Sequence, residues 1–252
     1  MIEIDSLTLS YGAKPVVEDL TLTLAEGGIT ALIGPNGAGK STLLAAVGRL
    51  HPIERGTVAI DGRELGQWPT GQLAKVLAIL RQENHLAVRL TVEELVMLGR
   101  HPHNGGRPRP EDHEKVAQAL QTVQMTDLAN RFLDELSGGQ RQRAFVAMAL
   151  AQETKYLLLD EPLSALDMHH SREMMRHLQR VCKTRDLAVV VVIHDINTAA
   201  TYADQMVALK EGKVCAQGTP TQVMTASTLE DIYDVQVEVA TMSGRPVAMP
   251  IP

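Results

Sequence analysis

The chain has 252 residues, of which 44% are hydrophobic and 21% charged, and its formal net charge is −6. That length can bury a full core as one large domain or two small ones, and the composition is that of an ordinary globular protein. The acidic balance excludes the broad basic footprint that nucleic acid demands. Two cysteines without a CxxC or Cys/His cluster exclude a disulfide framework and predict free thiols.

The first residues, Met1-Ile-Glu-Ile-Asp-Ser6, carry acids where a secretory leader would carry a basic region and a long apolar stretch. The longest apolar runs, such as Leu187 to Ile193, fall far short of the ~20 residues that span a bilayer. A soluble chain is expected, with any membrane role running through a partner.

In chain order, apolar residues alternate at Ile2, Ile4, Leu7 and Leu9, then at Leu20, Leu22 and Leu24, which predicts half-exposed antiparallel strands. A buried strand at Ile29–Ile33 follows, then a glycine-rich turn into a helix. Gly56 to Gly62 reads as another strand closed by an Asp-Gly turn. From about Thr91 to Leu133 the pattern becomes helical. Thr91 and Glu94 form a capping box there, and a Gly/Pro-rich loop is expected from His101 to Pro110. Further buried strands are predicted at Tyr156–Leu159 and Leu187–Ile193, with a polar-faced helix from Met168 to Arg185 between them. Asp204 to Gly218 reads as a hairpin turning at Glu211-Gly212. The last residues, Gly244 to Pro252, hold three prolines and are expected as an edge segment or loose tail. Strands alternating with helices predict an α/β fold with a mostly parallel sheet covered on both faces.

Three stretches carry chemistry. Gly34-Pro35-Asn36-Gly37-Ala38-Gly39-Lys40-Ser41-Thr42 is a G-x-x-x-x-G-K-[ST] phosphate loop between strand and helix, the context this motif requires. Its glycines let successive N–H groups face inward, where phosphate oxygens meet them and the positive end of the next helix. Lys40 supplies a charge for β and γ phosphates, and the Ser41 hydroxyl suits Mg²⁺. Second, Tyr156-Leu-Leu-Leu-Asp-Glu161 is a buried strand ending in two carboxylates. Asp160 is expected to hold Mg²⁺ through water and Glu161 to polarise the attacking water. Third, Ser137-Gly138-Gly139-Gln140 opens a helix running through Ala144 to Gln152. It is a second phosphate-binding helix start, expected to serve a γ-phosphate held by another subunit. The bland alternative is a plain serine-capped helix.

These residues together resemble an ATP-binding cassette ATPase, and the likeness covers essentially the whole chain. The resemblance implies ATP and Mg²⁺ as cofactors. It makes Gly34–Thr42 the Walker A loop, Leu136–Gln140 the signature acting in trans, Leu157–Glu161 the Walker B strand and Ser164–Asp167 the D-loop. It makes His194 the switch histidine and Gln82, in Arg81-Gln82-Glu83, the Q-loop glutamine and an Mg²⁺ ligand. Tyr11 takes the place of an aromatic that stacks on adenine. The implied fold is a P-loop NTPase core with an N-terminal antiparallel β subdomain and an inserted α-helical subdomain. The cassette would cover residues 1–240, with the helical subdomain at about 84–150 and a tail at 241–252.

Thr91 to His103, His194 to Asp204 and Gln217 to Pro220 are similar to the matching segments of importers of iron chelates, haem and cobalamin. The implied protein is an ATPase for ferric siderophore uptake, working as a head-to-tail pair of copies on the cytoplasmic face of the membrane. Its partners would be a permease, received near Gln82 to His103, and indirectly a solute-binding protein. A haem or cobalamin importer, and a soluble ATP-switched scaffold, are the alternatives. His101, His103, His169, His170 and His177 lack carboxylate or cysteine support at ligand spacing and are expected as solvated surface histidines.

Overall fold

The computed structural model describes residues 1–12, 14–82 and 88–251; Glu83, the opening residues 84–87 of the expected helical subdomain, and Pro252 lie outside the described residues. The chain divides into two compact units, residues 1–68 with 188–252, and residues 69–187.

The first unit opens with β1 (Ile2–Tyr11) and β2 (Lys14–Leu24), paired antiparallel from Ile2 opposite Leu24 to Tyr11 opposite Lys14. Ile2, Ile4, Leu7 and Leu9 all point inward, as their alternation predicts. β3 (Gly28–Ile33) is buried almost throughout and runs into α1 (Lys40–Val47). β4 (Arg55–Ile60) pairs antiparallel with β1 and turns at Asp61-Gly62 into the short β5 (Arg63–Glu64). Both turn residues have positive φ, 51° and 74°, which is the backbone a tight two-residue hairpin needs.

The second unit begins with α2 (Thr70–Leu73) and β6 (Leu77–Leu80). Its helical part holds α3 (Val92–Leu98), α4 (His101–Asn104), α5 (Pro110–Thr122) and α6 (Gly138–Ala151). The capping box at Thr91 is present, with Thr91 Oγ1 accepting from Glu94 N and Glu94 accepting from Thr91 N. The stretch expected as a loop from His101 is therefore partly helical. Pro102 sits in the first turn of α4, where its missing N–H costs nothing. β7 (Tyr156–Asp160) pairs parallel with β6, and α7 (Met168–Arg185) follows. α7 has the limits predicted for it and is capped at Asp167.

An ion cluster fastens this helical part. Arg100 donates Nε to Asp112 Oδ1 at 2.9 Å, and Nη1 to Ala151 O at 2.8 Å and Glu153 Oε2 at 3.1 Å. Asp112 also accepts from Arg109 N and Asn104 Nδ2. Burial pushes the Asp112 carboxyl up, but the hydrogen bonds from Arg100, Arg109 and Asn104 outweigh it and bring it down to about 2.

The chain then returns to the first unit. β8 (Ala188–Val192) pairs parallel with β3 from Gly28 opposite Ala188 to Leu32 opposite Val192. α8 (Ile196–Tyr202) leads to β9 (Gln205–Lys210), parallel to β3 on its other side, and to β10 (Lys213–Gly218), antiparallel to β9. After α9 (Pro220–Val223) and α10 (Ala226–Tyr233), β11 (Val237–Met242) and β12 (Arg245–Pro250) form a two-stranded antiparallel hairpin. The expected boundary at 240/241 falls inside β11, so the last residues are half of a paired hairpin. The architecture is α/β, with an antiparallel N-terminal sheet, parallel pairing around β3 and a helical insert, as the sequence predicts.

Candidate functional site

In the first unit, the apolar run of β3 ends at Ile33 because the next residue cannot carry a side chain. Gly34 has φ 137°, and a Cβ there would lie 2.0 Å from Leu209 O. The turn that follows is tied by Ala38 N to Pro35 O, and Gly39, at φ 95°, opens α1. A Cβ on Gly39 would meet Val17 Cγ2 at 2.9 Å, so the loop runs against β2. Gly39 brings no capping side chain to the first turn of α1. Lys40, 5% exposed, donates its ammonium to Gly34 O and Pro35 O at 2.8 Å each. A buried cation curled over a glycine-rich backbone at a helix start is chemistry suited to an oligophosphate. Ser41 and Thr42 lie in the same first turn.

Two further expected residues belong to this unit. Tyr11 ends β1 with 61% of its surface open, and its ring centroid is 4.7 Å from that of His51. An open aromatic face of this kind is what stacking on a base requires. His194 is exposed one residue past Ile193, and the next residue, Asp195, caps α8 by accepting from Asn197 N at 3.1 Å.

In the second unit, β7 delivers Asp160 at its end, 7% exposed, and then Glu161. Glu161 has φ 50°, a left-handed conformation that a side chain other than glycine holds at a cost of about 1–2 kcal/mol. Ser164 closes the turn, donating N and Oγ to Glu161 O. The Glu161 carboxylate accepts from Gln82 Nε2 at 2.8 Å, so the structure brings these two expected residues together.

Ser137 caps α6 reciprocally with Gln140: Ser137 Oγ accepts from Gln140 N at 3.3 Å, and Gln140 Oε1 accepts from Ser137 N at 3.0 Å. The serine cap of the bland alternative is thus present, and it accounts for Ser137 and Gln140 but not for the glycines between them. A Cβ on Gly139 would lie 3.0 Å from Ala165 O and 3.2 Å from Leu166 Cδ2, whereas one on Gly138 would come no closer than 3.9 Å to Ala165. Gly139 therefore lets the Ser164–Asp167 turn approach the start of α6. Asp167 accepts from His170 N at 2.8 Å and sits near His170 Nδ1 at 2.9 Å, contacts that hold its carboxyl below the usual range.

The histidines correct one expectation. His177 is buried, which lowers its pKa, and His103 Nε2 lies 2.8 Å from Gln152 O, so neither is a solvated surface residue. Among the described residues no group of three or more His, Cys, Asp or Glu side chains is placed to hold a metal ion. Each unit taken by itself offers donor types that suit Mg²⁺: the Ser41 hydroxyl in the first, and the Asp160 carboxylate and Gln82 amide oxygen in the second, are hard oxygens. Cys182 and Cys215 are free thiols. Sequence reading missed Tyr233, whose hydroxyl accepts the Gly34 N–H at 3.1 Å. Nothing in its local sequence marks a lone tyrosine at a helix end.

Known proteins agree with these features. The ABC transporter family model matches residues 17–164. The chain is 44% identical to the petrobactin import ATP-binding protein YclP of Bacillus subtilis over 99% of both chains. It is 41% identical to the ferric enterobactin transport ATP-binding protein FepC of Escherichia coli, over 98% of this chain and 93% of that one. A solved ABC transporter described as of the metal-chelate type, in an inward-facing conformation, superposes with a TM-score of 0.84 at 26% identity. That match covers 100% of this chain and 97% of the other. The dimeric bacterial ABC transporter cassette MJ0796 gives 0.79 at 30% identity, over 87% of this chain and 98% of that one. The chain belongs to the ABC transporter family, as an ATPase domain of it.

Proposed function

We propose that this chain is the ATP-hydrolysing subunit of a membrane importer of ferric siderophores, working as a head-to-tail pair of copies. The observation that carries the nucleotide part is Lys40 held at 2.8 Å from Gly34 O and Pro35 O, in a loop where neither Gly34 nor Gly39 leaves room for a side chain. Lys40 exchanges those carbonyls for the β and γ phosphates, and the N–H groups of Gly37 to Thr42 receive the remaining oxygens. Tyr11 stacks on the adenine. Mg²⁺, held by Ser41, Asp160 and Gln82, would neutralise phosphate charge.

Glu161 accepts the proton of the attacking water, Gln82 fixes its carboxylate, and His194 steadies the γ-phosphate. Ser137, Gly138, Gly139 and Gln140 of one copy close on the triphosphate of the other, and Asp167 lies at the same junction. The dimeric relative cassette and the shared fold support this pairing. Relatives named for petrobactin and ferric enterobactin support an iron-chelate cargo, handled by a permease and a solute-binding protein. No helix among the described residues is long and apolar enough to cross a membrane. That fits a subunit held at the cytoplasmic face by its permease.

Two measurements test the reading. Lys40→Ala should abolish ATP turnover and weaken ATP binding; parent-rate hydrolysis by that variant would end the assignment of the loop. Purification of the tagged chain from membranes should bring down a polytopic permease, and reconstitution with it should give ATP-driven uptake of a ferric siderophore. Uptake of haem or cobalamin in its place would correct the cargo.

A further inference from the structure

Gly34 is gripped from three sides. Its Cα faces Leu209 O, its carbonyl accepts the Lys40 ammonium at 2.8 Å, and its N–H goes to the Tyr233 hydroxyl at 3.1 Å. The parallel pairing of β3 with β9 ends at Ile33 opposite Ala208, so Gly34 is the first residue beyond the ladder. Its N–H is therefore satisfied by a side chain that lies 199 residues away in sequence.

The helix that presents that hydroxyl is itself fixed. Leu229 and Ile232 of α10 are fully buried, and Thr225 caps its start by accepting from Thr228 N at 3.2 Å. At its end, Lys210 Nζ donates to Asp231 O at 2.6 Å and Asp234 Oδ1 at 2.8 Å. Lys210 directly follows Leu209, the residue packed on Gly34, so one strand end braces both the loop and the helix.

We propose that Tyr233 is a positioning residue for the nucleotide, its hydroxyl fixing the direction in which the phosphate loop leaves β3. This rests on the reading of residues 34–42 as the triphosphate loop. The peptide that Tyr233 holds precedes the carbonyl on which Lys40 rests, so a turn of that peptide displaces both the lysine and the following N–H groups. Held in place, they meet the phosphates without first reorganising, which favours binding. Burial pushes the phenol up to about 12, although the Gly34 N–H opposes this, so the hydroxyl stays neutral at ordinary pH.

The test uses the full chain and compares the parent, Tyr233→Phe and Asn197→Ala. Tyr233→Phe keeps the ring and removes only the acceptor. Asn197→Ala removes two hydrogen bonds to Ala248, at 3.1 and 2.9 Å, within the same unit and none to the loop. Tyr233→Phe should raise KM and Kd for ATP about 3- to 10-fold with kcat held within about 2-fold, while Asn197→Ala lowers Tm and leaves KM at the parent value. An unchanged KM in Tyr233→Phe, or an equal rise in both variants, would overturn the proposal and leave tyrosine a packing residue. If Tyr233→Phe does not fold, hydrogen exchange of the Gly34 amide in the parent decides. Protection is expected, and exchange at the rate of an open loop overturns it. A parent that fails to bind ATP at all would sink the nucleotide reading itself, a result distinct from any of these.

Discussion

Gln82 donates its side-chain amide to Glu161 Oε2 at 2.8 Å, and this contact joins two residues 79 positions apart in one compact unit. Gln82 directly precedes the stretch that leads towards α3, and Glu161 is the proposed base. The hydrogen bond therefore links a segment assigned to the permease with a group assigned to chemistry. Gln82→Ala should lower kcat at saturating ATP and Mg²⁺ about 10- to 100-fold, through misplacement of the carboxylate together with loss of one proposed Mg²⁺ ligand. A parent kcat in Gln82→Ala, measured at saturating ATP, would show that Glu161 needs no such restraint.

Glu161→Gln keeps the size of the side chain and its ability to accept from Gln82, but it cannot take a proton. Hydrolysis should fall by roughly 10²–10⁴ while ATP binding survives. Intact ATP should then hold two copies together. Size-exclusion chromatography with ATP and Mg²⁺ is expected to show a dimer, and a monomer under those conditions would count against the paired arrangement.

Local signals made most of the fold legible. The limits of α7, the Thr91 capping box, the Asp61-Gly62 turn and the β9–β10 hairpin each depend on residues within a few positions of one another. So did the phosphate loop, whose spacing is itself the chemistry. The features that escaped are long-range or ambiguous. Tyr233 meets Gly34 only because α10 docks beside β9, a contact with no trace in the intervening sequence. His177 looks exposed on a polar-faced helix, yet it turns inward with Met174 and Leu178. The prolines near the end leave two readings open, an edge segment or a loose tail, and the local sequence does not choose between them. Pro246 and Pro250 fit the two-stranded hairpin β11–β12, in which β12 has a single paired edge.

The ion cluster of the helical part gives a stability prediction. Asp112, 1% exposed, faces Arg100, 6% exposed, at 2.9 Å. Removing one member of such a pair leaves a buried charge short of a partner, so Asp112→Ala should destabilise the protein by about 3 kcal/mol near neutral pH. The sign with pH follows from the lowered pKa. The carboxylate's contribution is present in full above its ordinary 3.8 and is lost as pH falls towards about 2. Urea unfolding of parent and Asp112→Asn should therefore differ most at pH 6–7 and converge by about pH 2. A gap between the two that is flat across this range would mean that the pair is not ionised.

Ser137 gives the sharpest test of the paired model, because its cap explains one role and leaves another to the partner. Ser137→Ala removes the hydroxyl that accepts from Gln140 N and should cost about 1 kcal/mol as a lost N-cap. Ser137→Arg adds bulk and charge at the same helix start, where a γ-phosphate from the other copy would have to approach. Its own phosphate loop, residues 34–42, is untouched, so it should bind ATP with parent affinity and fail in turnover. Lys40→Ala fails for the opposite reason, at the loop and not at the signature. Mixing the two variants forms pairs in which one composite site carries both lesions and the other carries neither, so part of the activity should return if one site suffices. Parent-level hydrolysis by Ser137→Arg alone, at concentrations where the pair forms, would refute the role in trans. The Ser137–Gln140 stretch would then be an ordinary capped helix start, and the spacing of Gly139 against Ala165 and Leu166 would be packing alone.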